Sequence, residues 1–135
     1  MKLVYLLDSN VVVRFLVKDH AEHFARAKEL FARAEEGACE LVLAPWIIAE
    51  VLYTLTSFYG ADRRQSARAL AALVASGGIR ALDSDIVLDA LERFEEKNVD
   101  FADAMLAAQA VAMGIQPASF DADLDKFPDI KRFQP

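Results

Sequence analysis

An α/β fold is predicted: one α/β/α sandwich domain around a central twisted parallel sheet of four to five short strands. Two observations predict it. Short apolar runs rich in strand formers recur at residues 3–7, 41–43, 79–82 and 115–120. Between them lie stretches with the apolar spacing of helices, and strands that alternate with helices build a parallel sheet covered on both faces. At 135 residues the chain has room for one proper core, with no repeat, low-complexity tract or flexible linker.

Residues 3–7 form a continuous apolar run, the pattern of a strand buried on both faces. Asp8, Ser9 and Asn10 break it with three good helix caps, and a short helix is expected over 11–17. Residues 20–36 read as a longer amphipathic helix, with Phe24, Ala27, Leu30, Phe31 and Ala34 on one stripe and Gly37 closing it. After the second strand, Pro45 suits the first turn of a helix running to about Tyr59 and stopping at Gly60. Asp62 caps a helix through Ala75, ended by Ser76, Gly77 and Gly78. Ser84 or Asp85 starts the next helix, with Ile86, Leu88, Leu91 and Phe94 expected inward. Asp100 or Phe101 opens another that Gly114 ends, and a short acidic helix follows the fourth strand.

Composition narrows the class. The chain is 55% hydrophobic and 27% charged, as a packed globule requires, which excludes disorder. Fifteen basic against 21 acidic residues give a net charge of −6. A general basic surface for nucleic acid is therefore excluded, and such chemistry would need a metal or a local basic rim. The single Cys39 cannot form an internal disulfide and suits a reducing, cytoplasmic setting. Asp8 arrives too early for residues 1–7 to act as a signal peptide. Residues 41–61 are long and apolar enough to span a bilayer, but Pro45, the central Glu50 and a Thr/Ser-rich end favour a buried strand leading into a core helix.

Glu50 is the only charge between Glu40 and Asp62. An unpartnered carboxylate is costly to desolvate, and no Lys, Arg or His lies nearby in sequence to neutralise it. Three further acids stand where strands hand over to helices: Asp8, Asp103 and Asp121. Each has an ordinary reading. Asp8 and Asp121 can cap, and Asp103 can favour the helix dipole with Asp100 as cap. Together they fall at the carboxyl ends of strands, where open α/β sheets place their ligands. Two carboxylates about 6 Å apart repel by roughly 3 kcal/mol at an effective dielectric of 20. Four would accumulate on the order of 10 kcal/mol unless protonated or bridged by a cation. Oxygen donors without convergent His or Cys select Mg²⁺ or Mn²⁺. His20 and His23 read as surface residues at the start of a helix.

With those residues in place the chain resembles the PIN-domain nucleases, and within them the small toxin ribonucleases of bacterial and archaeal toxin–antitoxin pairs. The resemblance is carried by four blocks in order: Leu6-Leu7-Asp8-Ser9-Asn10, then Pro45 to Val51 around Glu50, then Val99 to Ala108 around Asp103, then Ser119-Phe120-Asp121. It implies metal ligation and catalysis by Asp8, Glu50, Asp103 and Asp121, with Asp100, Asp123 and Asp125 as spare acids. Ser9, Asn10 and Ser119 are expected to orient carboxylates or water. The implied activity is Mg²⁺- or Mn²⁺-dependent hydrolysis of RNA, whether tRNA, rRNA or mRNA. Arg14, Lys18, Lys97, Lys126, Lys131 and Arg132 are candidate contacts to the RNA backbone, with solvated charge as their default role. The implied partners are a second copy of the chain and a cognate antitoxin protein that blocks the groove. Phe24, Phe31, Phe58 and Tyr59 are candidates for such contacts, although core packing is the commoner role for such side chains.

Two rivals share parts of the pattern. A haloacid-dehalogenase-type phosphatase also begins with an apolar strand and an Asp, but it wants an acid where Asn10 stands and has no use for Glu50. A non-catalytic binding module on a PIN-like scaffold would keep the fold without the chemistry. A receiver domain would need an acidic pair after the first strand, where Asp8 stands alone.

Overall fold

The computed structural model describes residues 2–135 as two compact units, one ending at Asp83 and the other running from Ser84 to Pro135. The first unit holds a parallel sheet of β1 (Leu3–Leu6), β2 (Cys39–Leu43) and β3 (Ile79–Ala81), in that order. Leu3 pairs with Cys39 and Leu41 with Ile79, which fixes both registers. Among the described residues there are three strands, fewer than the four to five expected.

The burial expected for β1 belongs to β2. Leu3, Val4, Tyr5 and Leu6 are all exposed in β1, an edge strand paired with β2 among the described residues. Cys39, Leu41, Val42 and Leu43 of the central strand are buried instead. Helices α1 (Ser9–Leu16), α2 (Ala21–Glu35), α3 (Pro45–Tyr53) and α4 (Arg63–Val74) complete this unit. Ala27, Phe31 and Ala34 form the buried stripe of α2, with Phe24 and Leu30 half-buried. Pro45 sits in the first turn of α3, and Asp62 caps α4 by accepting from the Gln65 N–H at 2.9 Å.

The expected single helix to Tyr59 changes character after Tyr53. Residues Thr54–Phe58 form a π-helical turn, in which the Tyr59 N–H reaches the Thr54 carbonyl. Thr54 and Thr56 explain the wider turn: their hydroxyls donate to the Glu50 and Leu52 carbonyls at 2.9 and 2.8 Å and compete with the backbone ladder.

The second unit packs α5 (Ser84–Glu96) against α6 (Phe101–Met113), followed by a 3₁₀ turn at Ala122–Lys126. The inward stripe of α5 is Val87, Ala90, Leu91 and Phe94; Ile86 and Leu88, expected inward, are half-buried. Residues 87, 90, 91 and 94 centre the buried face, and 86 and 88 lie at its two edges. The fourth strand expected at 115–120 is absent. Pro117 has no N–H to give a ladder. The neighbouring groups bond to the tail instead: Ser119 N–H to the Phe133 carbonyl at 3.0 Å, and Phe133 N–H to the Pro117 carbonyl at 2.8 Å. Only an isolated Ala118–Phe133 bridge remains. No helix among the described residues is long and apolar enough to cross a membrane, so the 41–61 stretch resolves into β2, α3 and the π turn.

Candidate metal centre

Among the described residues one group of acids is placed as a metal would need. Carboxylate oxygens of Asp103, Asp121 and Asp123 lie within 4.8 Å of one another. Asp103 comes from the first turn of α6, where Asp100 occupies the N-cap position without a side-chain cap bond. Asp121 and Asp123 come from the start of the 3₁₀ turn. The hydroxyl of Ser119 accepts from the Asp121 N–H at 2.9 Å, and Asp121 Oδ1 accepts from the Asp123 N–H at 2.9 Å. This local bonding aims two acids from one tight segment at a third on the helix.

The electrostatic cost falls on Asp103. Burial raises its pKa above the usual carboxylate value, and the charge of Asp121, a hydrogen bond to Asp121, and the charges of Asp100 and Asp123 push the same way. Three convergent oxygens with no nitrogen or sulfur donor fit a hard divalent cation, so the residues present suit Mg²⁺ or Mn²⁺.

In the first unit, Asp8 is the N-cap of α1 and accepts from the Ser9 N–H at 2.9 Å. Ser9 is buried, while Asn10 is exposed and borders a cavity of about 420 Å³ lined by α1 and α2. Glu50 is exposed, so its carboxylate is not desolvated as the apolar run around it suggested. The buried stripe of α3 is Ile47, Ile48, Val51 and Leu52; Trp46 and Tyr53 share the open side with Glu50. Apolar composition misled here because two of those large side chains, Trp46 and Tyr53, are themselves on the surface.

Four of the candidate basic residues have partners within the chain. Arg132 is held by Asp125, with Nε and Nη2 on the two carboxylate oxygens at 3.1 and 3.0 Å. Asp125, expected as a spare acid, is thereby engaged in an ion pair. Lys126 pairs with Asp123 at 3.1 Å and donates to the Asn98 carbonyl at 2.9 Å. Arg14 pairs with Asp19, which also accepts from the Tyr59 hydroxyl, and Lys18 lies over the Phe24 ring. Phe31 packs in the core and Phe58 is exposed. His20 and His23 are exposed as expected, with His20 Nδ1 accepting from the His23 N–H to cap α2.

Residues 5–130 match the model of the PIN domain, which spans nearly the whole chain and all four acid blocks. The chain belongs to the PIN domain family. Members of this family are typically nucleases. Among solved structures, a chain in the crystal structure of VapBC2 from Rickettsia felis, bound to a DNA fragment from their promoter, is similar over 98% of either chain, at 15% identity and a TM-score of 0.41. No curated protein matches the chain by sequence. Within the PIN domain, Asp103, Asp121 and Asp123 share one unit, and Asp8 and Glu50 belong to the other.

Proposed function

We propose that this PIN domain is a divalent-metal-dependent endoribonuclease and the toxin of a toxin–antitoxin pair. The observation that carries the reading is the clustering of Asp103, Asp121 and Asp123 in a chain of this family. The proposed ligands are Asp8, Glu50, Asp103 and Asp121, with Asp123 supplementing them and Asp100 contributing charge. On this reading both compact units act as one nuclease domain in the cytoplasm. A cognate antitoxin and a second copy of the chain are the proposed protein partners.

A bound Mg²⁺ or Mn²⁺ would supply charge to counter the phosphate and acidity to activate a water. The side chains have their own tasks. The Ser119 hydroxyl holds the Asp121 backbone N–H and Asp121 Oδ1 holds the Asp123 N–H, which orders the segment whose two carboxylates would hold a cation. Burial and Asp121 raise the pKa of Asp103, and a cation, which takes the carboxylate form, would work against that shift. Lys126 beside Asp123 offers a local positive charge in an otherwise acidic neighbourhood.

The test is cleavage of a panel of tRNA, rRNA and mRNA fragments by purified protein with Mn²⁺. Cleavage that EDTA stops and that Asp103→Asn lowers by about 100-fold or more supports the reading. Absence of cleavage by the wild type with Mn²⁺ would point to a binding module on the same scaffold. A phosphoenzyme at Asp8 would instead support the phosphatase rival.

A further inference from the structure

We infer that Arg132 is a positioning residue for the acid cluster, closing the segment 119–125 like a clasp so that Asp121 and Asp123 keep their aim. The inference rests on the metal-centre reading of that cluster. Arg132 touches none of the three clustered carboxylates by a hydrogen bond that would recruit it as a ligand partner; it holds the two ends of the segment that carries two of them. At one end, Nη1 donates to the Ser119 carbonyl at 2.9 Å. At the other, Nε and Nη2 grip both oxygens of Asp125 at 3.1 and 3.0 Å. Nη1 also makes a long contact of 3.5 Å to Gln134 Oε1.

The guanidinium is well placed to hold rather than to bind. Its side chain is only 11% exposed, whereas that of Asp125 is 56% exposed. The backbone beside it is already fixed, because Phe133 exchanges hydrogen bonds with Pro117 and Ser119. From Ser119 the restraint passes through its hydroxyl to the Asp121 N–H, and from Asp121 Oδ1 to the Asp123 N–H. Three donors in a rigid fork meet a carbonyl and a carboxylate together. A lysine ammonium carries the same charge but cannot span both partners in that geometry. Arg132 therefore acts on the site through shape more than through charge.

Arg132→Lys separates the two. Amide hydrogen exchange by NMR on the metal-free protein is expected to show the Asp121 and Asp123 N–H groups exchanging at least about 10-fold faster, with the amides of α5 unchanged. Mn²⁺ affinity, measured by calorimetry, should fall about 10–100-fold, the range for loss of a group that orients a ligand. Asp125→Asn, which keeps the Ser119 bond but weakens the fork, should give a smaller change in the same direction. Equal exchange and equal affinity in a folded Arg132→Lys protein would overturn the inference while leaving the metal site standing. A general loss of protection across α5 and α6 in both variants would also overturn it, by making Arg132 a support of the whole unit. Failure of the wild type to bind Mn²⁺ would remove the metal-centre reading and this inference with it.

Discussion

At the residue scale Asp103 carries the largest electrostatic burden of the described acids in the second unit. Its carboxyl is pushed up first by burial and then by the charge of Asp121. A carboxyl whose pKa is higher folded than unfolded favours the fold while protonated. That contribution is lost as pH rises from about 4 through the folded value. Metal-free Asp103→Asn is therefore expected to melt above the wild type at pH 7, with the advantage shrinking toward pH 4. Scanning calorimetry in EDTA at the two pH values checks this, and a lower melting point at pH 7 would contradict it. Excess Mn²⁺ should stabilise the wild type more than the variant, since only a binder of the native state raises its stability. The acids themselves were legible in the sequence, because Asp8, Asp103 and Asp121 all stand at element boundaries. The exposure of Glu50 was not, because a residue-by-residue view of an apolar helix cannot tell which side faces out. The engagement of Asp125 by Arg132 and of Asp123 by Lys126 was also hidden, since close pairing depends on how a short turn is bent.

At the scale of elements, two contacts between segments distant in sequence hold the units in shape. Gly78, just before β3, has φ +83°, and a Cβ there would lie 2.2 Å from the Ala34 carbonyl oxygen of α2. Only glycine meets both demands, so Gly78→Ala should cost about 2 kcal/mol or more in urea unfolding. In the second unit Arg93 of α5 reaches Asp129 of the tail with Nη1 at 2.9 Å, bonds Asp89 one turn away at 3.1 Å, and lies over Phe127. Its side chain is 10% exposed, so its removal leaves a gap and breaks charge-assisted bonds to two partly solvated carboxylates. Arg93→Ala is expected to cost about 2–3 kcal/mol. The Arg93 hydrogen bond holds the Asp129 carboxyl below its usual range. A lowered carboxylate pKa stabilises above the unfolded value, near 4, and that gain is lost as pH falls through the folded value. The gap between wild type and Arg93→Ala should thus narrow on acidification below about pH 4. Helices were legible from their caps and periods: Asp62, Pro45 and Gly114 all mark ends where expected. The π turn and the missing fourth strand were not, because they follow from two threonine hydroxyls and one proline nitrogen competing with the regular ladder.

For the whole molecule, a chain of net charge −6 belongs to a family of nucleases, and the proposed cation would reconcile the two. The proposed function asks Asp8, Glu50, Asp103 and Asp121 to serve as ligands of a divalent cation. The most direct test is a calorimetric Mn²⁺ titration at pH 7 of the wild type beside Asp8→Asn and Asp121→Asn. One strong site in the wild type, weakened at least about 10-fold by either substitution, is the result expected. Unchanged Mn²⁺ affinity in a folded Asp8→Asn protein would contradict it.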